Sequence, residues 1–178
     1  MNNETASHAP RSEVQRLSST EITQKFSKEL KRSAALALRI SYNHTVDSFN
    51  LGLPAPIYAW EDGKNELRSQ FGVNFESALG NILGAEKLPK SSHLDFRWDN
   101  VIFDVKVRTS EESKTVALNR VQNDSLVLIV LYNIKNFTYE LYMGYPNRSG
   151  STGPGADGKY SICRGKIRGM LKITEGTF

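Results

Sequence analysis

Cysteine is almost absent from this chain of 178 residues, which contains only Cys163. A single cysteine excludes an intramolecular disulfide, an iron–sulfur cluster and a zinc site built from several cysteines. Long apolar runs are absent too: none approaches the roughly 20 residues that cross a bilayer, so we expect no membrane partner. The N-terminal residues lack the apolar stretch of a secretory signal, and we therefore expect a cytoplasmic protein.

The composition fits one globular domain. Apolar residues make up 39% of the chain and charged residues 24%, so neither a disordered chain nor a membrane protein is indicated. The length also suits one domain better than two. Residues 1–17 are polar and show no periodicity, and we expect them to form a flexible N-terminal tail. Residues 18–178 are then expected to form a single domain.

Basic residues are concentrated near the C-terminus. Residues 143–178 contain six Lys or Arg and two Asp or Glu, and this difference equals the net charge of +4 of the whole chain. A basic segment rich in Gly and Ser indicates contact with a polyanion, although a solvated basic hairpin would look the same. The residues expected to meet a polyanion there are Arg148, Lys159, Arg164, Lys166 and Arg168.

Two helices are predicted in the first half of the chain. Ser18 and Glu21 have the spacing of a capping box, and apolar residues then recur at helical intervals, which predicts a helix over about 20–41. Residues 51–62 contain two prolines and are expected to connect this helix to the next one. A second apolar stripe predicts a helix over about 65–83, which Gly84 is well placed to end.

The periodicity changes to that of strands after the second helix. Residues 94–97 and 101–108 are expected to form a β-hairpin, and the apolar run 125–132 a central strand buried on both faces. A mixed α/β domain with helices covering a central sheet follows from this order. The remaining expectations are a short helix within 113–122, a strand over 137–145, a loop over 146–157 and strands near 159–163 and 167–173.

The most informative pattern lies in the second strand of the predicted hairpin. Side chains alternate across a strand, so Asp104, Lys106 and Arg108 share one face while valines and a phenylalanine occupy the other. Asp95, nine residues before Asp104, lies in the preceding strand, where antiparallel pairing would bring the two carboxylates together. Asp99 is the alternative second acid. An exposed ion pair between Asp104 and Lys106 on a half-solvated sheet is the structural alternative.

Two adjacent aspartates make a hard-oxygen site that suits Mg²⁺, an ion that proteins bind through one or two carboxylates together with water and phosphate. Such an ion lowers the pKa of its water and offsets charge that develops on a phosphodiester. Lys106 is placed to orient the attacking water and to stabilise the pentavalent intermediate. Together these groups are able to hydrolyse a phosphodiester.

The segment from Asp95 to Asp104-Val105-Lys106 resembles the PD-(D/E)XK motif of nucleases such as the type II restriction endonucleases. Leu94 replaces the leading proline of the motif, and Asp104 stands where the family often has Glu. The resemblance covers about residues 65–145 and implies a restriction-endonuclease-like fold, with a central mixed β-sheet flanked by helices. It also implies that Glu76, on the preceding helix, joins Asp95 and Asp104 in binding one or two Mg²⁺ ions.

The resemblance further implies a Mg²⁺-dependent endonuclease that hydrolyses double-stranded DNA, with Asp95, Asp104, Lys106 and Glu76 as catalytic residues. The compact size resembles that of an orthodox type II restriction enzyme from a bacterial or archaeal cell, which acts as a homodimer on a palindromic site. We expect the helix over 20–41 to form part of the dimer contact, and Arg108 to lie near a DNA phosphate. Two alternatives stay open: a structure- or damage-directed nuclease such as a junction resolvase, and a nucleic-acid-binding protein without catalysis.

The glycine-rich segment 153–160 has the glycines and the lysine of a nucleotide-binding P-loop. That motif needs Ser or Thr where this chain has Tyr160, and Pro154 is unable to donate one of the amides that hold phosphate. We therefore expect no nucleotide cofactor, and interpret the segment as a flexible loop that contacts DNA.

Overall fold

The structure, a computed structural model, describes residues 16–51, 64–110 and 115–178. The helices in these ranges are α1 (Ser19–Ser48), α2 (Lys64–Leu83), α3 (Arg120–Asp124) and α4 (Arg164–Ile167). The strands are β1 (Glu86–Lys87), β2 (Phe96–Trp98), β3 (Val101–Thr109), β4 (Thr115–Leu118), β5 (Leu126–Asn133), β6 (Thr138–Gly144), β7 (Tyr160–Cys163) and β8 (Leu171–Thr177). Two short 3₁₀ turns span Lys90–Ser92 and Pro146–Arg148.

Six of the strands form a mixed sheet in the order β1-β2-β3-β5-β6-β8, and β4 pairs with β7 in a separate two-stranded sheet. Strands β3 and β5 run parallel, whereas the other neighbours in the large sheet are antiparallel. A parallel pair requires a crossover connection, and here that connection contains β4 and α3. The predicted mixed α/β class, with helices packed on a central sheet, is therefore confirmed.

Helix α1 begins as predicted and is longer than predicted. Ser18 and Glu21 form the capping box, and the apolar stripe that follows is buried. The helix ends at Ser48 instead of residue 41, because its buried stripe continues through Tyr42 and Val46, with the hydroxyl residues Ser41 and Thr45 beside them. The Thr45 hydroxyl is buried and donates a hydrogen bond of 2.7 Å to the carbonyl of Ser41, so a polar residue can occupy the core side of the helix.

Helix α2 matches the predicted range within one residue and packs closely on the hairpin. A Cβ atom on Gly80 would lie 2.6 Å from the Phe96 ring, so only glycine allows the helix to approach β2 this closely. Gly84, at a φ of +62°, ends the helix as expected, since a left-handed conformation costs glycine least. This contact fixes the hairpin relative to α2, which carries Glu76.

The large sheet has an apolar core on each face. On one face α1 and α2 cover the sheet, and the side chains of Phe103, Val105 and Val107 pack beneath them. On the other face the β4–β7 sheet and α4 pack against residues of β5 such as Val127 and Ile129. The predicted central strand β5 is thus buried on both faces, as its continuous apolar sequence indicates.

Two predictions for the second half of the chain are wrong. Instead of a helix within 113–122, residues 115–118 form a strand in which Val116 and Leu118 are buried while their neighbours are exposed. This alternation has a period of two, and Asn119 then caps the short helix α3. Near the C-terminus, α4 and a bend precede β8, so that strand begins at Leu171 instead of near residue 167.

The predicted tail and connector fall mainly outside the described residues. Residues 1–15 and 52–63 lie outside them, as do 111–114. The end of the predicted tail is held in place, because the Leu17 amide donates a hydrogen bond of 2.9 Å to the Tyr145 hydroxyl. The Arg16 guanidinium lies 5.9 Å from the centre of the same ring. Over the three described ranges, none of the helices is long and apolar enough to cross a membrane.

Candidate active site

The hairpin of β2 and β3 leaves one edge of β3 open. Asp99 and Asn100 both have positive φ values, 45° and 62°, so they form a tight two-residue turn. Strand β2 pairs only with residues 101–103 of β3. Beyond Phe103 the two strands separate, while β3 continues to Thr109 and pairs on its other edge with β5. The chain before β2 enters the hairpin at this point of separation, and its first residue there is Asp95.

Asp95 bonds to the open edge of β3. Its Oδ2 atom accepts a hydrogen bond of 2.8 Å from the backbone N–H of Val105. The carboxylate therefore takes the place of the strand partner that β2 no longer supplies. It lies next to Asp104, the residue that precedes Val105. The Asp95 carboxylate also acts on Asp104 through its charge, since it contributes to the raised pKa of the Asp104 carboxyl. The structure thus brings Asp95, one of the two predicted acids, to the edge of β3 beside Asp104.

Asp104 is a fully buried acid. Its exposed fraction is 0%, and the Lys106 ammonium lies 2.8 Å from its Oδ2 atom, with 17% of the lysine side chain exposed. This ammonium is the ion-pair partner of Oδ2. Oδ1 accepts a hydrogen bond of 3.2 Å from the side-chain amide of Gln122. Asp104 is thus not an exposed strand acid, and the structural alternative of a half-solvated ion pair is wrong.

Burial and crowding of acids change the titration of this site. Burial raises the pKa of the Asp104 carboxyl to about 7; the Lys106 ammonium opposes this rise, and the Asp95 carboxylate adds to it. Burial likewise raises the pKa of Glu76 to about 7, with a further increase from Asp95, against the lowering effect of Lys106, Lys87 and Arg108. Two acids with raised pKa values next to a third carboxyl mark a place where negative charge is concentrated at a cost in stability.

Glu76 approaches the site from α2. It lines a cavity of about 190 Å³ between α2 and the open edge of β3, together with Lys106 and Arg108. Within the described residues, however, no three His, Cys, Asp or Glu side chains converge closely enough to enclose a metal ion. Glu76 therefore interacts with Asp95 through charge in this conformation, and the closest convergence is that of two carboxyls and one ammonium.

Asp99, the alternative second acid, is held elsewhere. It lies in the hairpin turn with 67% of its side chain exposed, and its carboxylate pairs at 2.8 Å with the Lys25 ammonium of α1. This pair has the same separation as the Lys106–Asp104 pair but stands at the surface, away from the Asp95 carboxylate. Of the two candidates, only Asp95 contacts the strand that contains Asp104.

Gln122 is a site residue that the sequence prediction missed. Its Oε1 atom accepts a hydrogen bond of 3.0 Å from the backbone N–H of Asn119, within the capping box that starts α3. Because Oε1 is used in this way, Nε2 must be the atom that faces Asp104 and donates to it. The capping-box spacing from Asn119 to Gln122 was the available signal. It was hidden by the incorrect helix over 113–122.

The basic C-terminal segment lies on the same face of the sheet as Asp104 and Lys106. These two residues stand opposite Val127 and Ile129 of β5, on which β7 and α4 pack. Residues opposite each other share a face, so α4 with its Arg164 and Lys166 covers the face from which the acid and the amine project. The predicted residues Arg148, Lys159, Lys166 and Arg168 are exposed and Arg164 is half-buried.

Some of these cations have acidic partners. Arg168 pairs with Glu140 at 3.5 Å, and Lys159 with Asp157 at 3.5 Å. The Arg148 guanidinium lies 5.3 Å from the centre of the Tyr145 ring. Exposed pairs of this kind contribute little to stability, and phosphates are able to replace the carboxylates.

The carboxyl pair has the chemical character that a magnesium ion requires. Oδ2 of Asp104 is a buried hard-oxygen atom that pairs with the Lys106 ammonium, and the neighbouring Asp95 carboxylate supplies further oxygen. Mg²⁺ is bound by one or two carboxylates and keeps several waters, so a complete cage of protein ligands is unnecessary. The residues present therefore fit the ion, with Asp95 and Asp104 as its holders.

No protein-family model matches this chain, and none of the curated proteins matches its sequence.

Proposed function

We propose that this protein is a Mg²⁺-dependent DNA endonuclease with a restriction-endonuclease-like fold, which hydrolyses phosphodiester bonds in double-stranded DNA of the cytoplasm. One observation carries the proposal: Asp95, Asp104 and Lys106 converge at the open edge of one strand. A fully buried acid that is paired with an ammonium and crowded by a second acid is costly to stability, which favours a functional role over a purely structural one. The pattern resembles the PD-(D/E)XK nucleases in spacing and in placement on a hairpin.

Each residue has a distinct role in the proposed reaction. Asp95 and Asp104 would hold the cation, which when bound supplies Lewis acidity and a water of lowered pKa. The Lys106 ammonium is positioned to orient the attacking water and to offset the negative charge of the pentavalent phosphorus. Gln122 keeps Oδ1 of Asp104 engaged, so that Oδ2 faces the lysine. The attacking water would release its proton to solvent, the bond from phosphorus to the 3′ oxygen would break, and that oxygen would take a proton from solvent.

The sharpest test compares two ion pairs of equal length. Purified protein is incubated with phage DNA and Mg²⁺, and the products are separated on a gel. We expect discrete fragments from the unchanged protein, and a loss of more than about 100-fold in rate for Asp104→Asn and for Lys106→Ala. The controls are Asp99→Asn and Lys25→Ala, which break the surface pair of the same 2.8 Å separation and should leave cleavage unchanged.

The outcomes separate the proposal from its alternatives. Cleavage that survives both Asp104→Asn and Lys106→Ala would overturn the assignment. Cleavage of branched DNA alone would favour a junction-directed nuclease with the same site. Salt-sensitive binding without cleavage in Mg²⁺ or Mn²⁺ would favour a nucleic-acid-binding protein.

The proposal includes a homodimer, since a two-fold protein matches a palindromic site and cuts both strands. Helix α1 presents Leu36, half of whose side chain is exposed, on its outer surface. Sedimentation with and without a cleavable duplex measures the oligomeric state. A monomer that cuts both strands at once would contradict this part of the proposal while leaving the chemistry of the site in place.

A further inference from the structure

Helix α3 is bonded both to the buried acid of β3 and to the basic C-terminal segment. Its residue Gln122 donates to the acid, and the next two side chains bond to the basic segment. The Oδ1 atom of Asn123 accepts a hydrogen bond of 2.5 Å from the Ser151 hydroxyl. Asp124 accepts one of 3.0 Å from the side-chain amide of Asn147. Three consecutive side chains therefore connect the residue proposed to hold the cation with a surface proposed to meet DNA.

The bond between Asn123 and Ser151 is the stronger of these two links to the basic segment. Asn123 is 5% exposed and Ser151 is half-buried, whereas Asp124 and Asn147 are exposed. A buried amide oxygen that loses its donor costs the desolvation of that atom, which exceeds the net contribution of an ordinary hydrogen bond. Water competes for an exposed bond and reduces this penalty. The position of α3 therefore depends more on the Ser151 hydroxyl than on the Asn147 amide.

The crossover connection that carries Gln122 is built on the basic segment. Strand β4, which comes just before α3, pairs along its whole length with β7. Val116 and Leu118 of β4 share an apolar cluster with Ile162 of β7. A helix of five residues is too short to be stable alone, so the position of α3 is set by its contacts with neighbouring segments. A displacement of the basic segment therefore changes where Gln122 lies relative to Asp104.

Residues 146–151 form a tight turn, here called the 146–151 turn, and Arg148 is exposed at its centre. The turn is closed by backbone bonds, among them the bond of 3.1 Å from the Ser151 amide to the Pro146 carbonyl. Arginine binds phosphate oxygens through parallel hydrogen bonds, and such contacts are independent of base sequence. Asn147 and Ser151, which bond to α3, stand on either side of this arginine. A phosphate bound there contacts the same turn that holds α3 in place.

We propose that α3 transmits the binding of a DNA phosphate at the 146–151 turn to Asp104, with Asn123 and Ser151 as positioning residues. The inference rests on the proposed nuclease function and deepens it by assigning how DNA regulates the site. In one state α3 is bonded to the turn and Gln122 holds the acid; in the other α3 is released and that bond is lost. DNA favours the first state because the closed turn presents its arginine to a phosphate. The acid is therefore oriented for the reaction when DNA is present.

The first test observes the Gln122 side chain without cleavage. In heteronuclear NMR spectra of the isotope-labelled protein, its NH₂ signals are identified by their absence in Gln122→Ala. A short DNA duplex is added in EDTA, so that neither a metal ion nor hydrolysis contributes, and its binding is followed by anisotropy. We expect the signals to shift as the duplex binds, because the amide moves against the carboxylate. At equal saturation with DNA, Arg148→Ala should reduce this shift, since it removes the phosphate contact of the turn.

The Ser151 hydroxyl is the group to remove. Ser151→Ala breaks the bond to Asn123, and the shift of the Gln122 signals should be lost in this variant. Ser151→Thr keeps a hydroxyl and should restore the shift. Ser149→Ala is the matched control, since that hydroxyl donates a bond of 3.0 Å to the Tyr145 carbonyl within its own segment, and its removal should leave the shift unchanged. Melting curves verify that each variant is folded.

The second test measures the same link in the reaction. Ser151→Ala should lower kcat by about 3–10-fold, the effect expected for one hydrogen bond, with a smaller change in KM for DNA. A residue that only stabilised the fold would leave kcat of the folded protein unchanged. Combined with Gln122→Ala, the same substitution should add little further loss, because the connection to Asp104 is already broken. Ser151→Thr should recover kcat, and Ser149→Ala should keep it.

The outcomes separate this inference from the proposed function. Signals that stay in place when DNA binds overturn the inference, and so does a shift that is as large in Ser151→Ala as in the unchanged protein. Equal losses in Ser149→Ala and Ser151→Ala, or losses in kcat that multiply with those of Gln122→Ala, overturn it as well. Failure of the unchanged protein to cut any DNA contradicts the nuclease instead, and the spectra then still decide whether DNA contact reaches Gln122.

Discussion

The side-chain amide of Gln122 donates a hydrogen bond of 3.2 Å to Oδ1 of the buried Asp104 carboxyl. The Gln122 side chain also accepts a hydrogen bond from the backbone N–H of Asn119. One side chain therefore joins helix α3, in the crossover connection, to Asp104 of β3. The orientation of the amide is determined by this second bond. Asp104 is consequently held with one oxygen toward the helix and the other toward Lys106.

The first prediction concerns Gln122. Gln122→Ala removes the donor to Asp104 and should lower kcat by about 10–100-fold, a range typical of residues that orient a metal ligand, with KM for DNA unchanged. Gln122→Glu keeps the acceptor for Asn119 but places a negative charge against the acid, and should lower kcat further. Steady-state cleavage rates measure both effects. Asn119→Ala is the control, because it weakens the helix cap and leaves the amide–carboxyl bond. Equal losses in Asn119→Ala and Gln122→Ala would reduce the glutamine to a helix-capping role.

The second prediction concerns stability and pH. The pKa of Asp104 is raised from an ordinary value of 3.8 to about 7 in the folded protein. The folded state therefore binds this proton more tightly than the unfolded chain, so its stability is highest below pH 3.8 for this group and falls as the pH rises through 7. Asp104→Asn lacks this loss. Its stability relative to the unchanged protein should increase by about 1–3 kcal/mol between pH 5 and pH 8.

Urea unfolding at the two pH values measures this difference. Titrating groups that do not interact with Asp104 are common to both proteins, and their contributions cancel in the comparison. Stability curves for the two proteins that remain parallel across this interval would contradict the raised pKa of Asp104.

The third prediction concerns metal binding without DNA. A ligand present at ten times its Kd stabilises the folded state by about 1.4 kcal/mol, which raises the melting temperature by roughly 3–6 °C in a chain of this size. We expect Mg²⁺ to produce such a rise in the unchanged protein and in Asp99→Asn. Asp95→Asn and Asp104→Asn should show none relative to their own metal-free melting temperatures. Equal rises in all four proteins would place the metal elsewhere.

The fourth prediction separates the two roles considered for Glu76. If it is a ligand to the metal in the complex with DNA, Glu76→Gln should raise the Mg²⁺ concentration for half-maximal cleavage by about 10-fold. If it acts only through charge, the change should relieve repulsion with Asp95 and leave that concentration unchanged or lower. Cleavage rates over a range of Mg²⁺ concentrations decide between them. Glu66→Gln, an exposed acid in the first turn of the same helix, is the matched control.

The elements with strong periodicity could be predicted from the sequence. The helical stripe of α2 and the apolar run of β5 each lie within one or two residues of the predicted range. The sequence favoured Asp95 over Asp99 through antiparallel pairing with the strand of Asp104, and in the structure Asp99 pairs with Lys25 while Asp95 bonds to β3. These predictions depend on local spacing, which the sequence contains directly.

The missed features depend on contacts between distant segments. The role of Gln122 depends on the crossover connection that places α3 beside β3. The incorrect prediction of a helix within 113–122 also hid the helix cap at Asn119. The acidic partners of the basic segment, such as Glu140 for Arg168, belong to another strand and are invisible to a count of charges.

The unpaired edge of β3 beyond Phe103 has one more consequence, which concerns solubility. Exposed strand edges are templates for addition of a foreign strand and hence for aggregation, and natural proteins protect them with charged side chains or with a covering helix. Here Asp95 occupies the amide of Val105, α2 lies alongside, and Lys106 and Arg108 carry charge along the same stretch. The residues proposed to cleave DNA thereby also keep the monomers from joining edge to edge, so apolar replacements at these positions carry a risk of fibre formation.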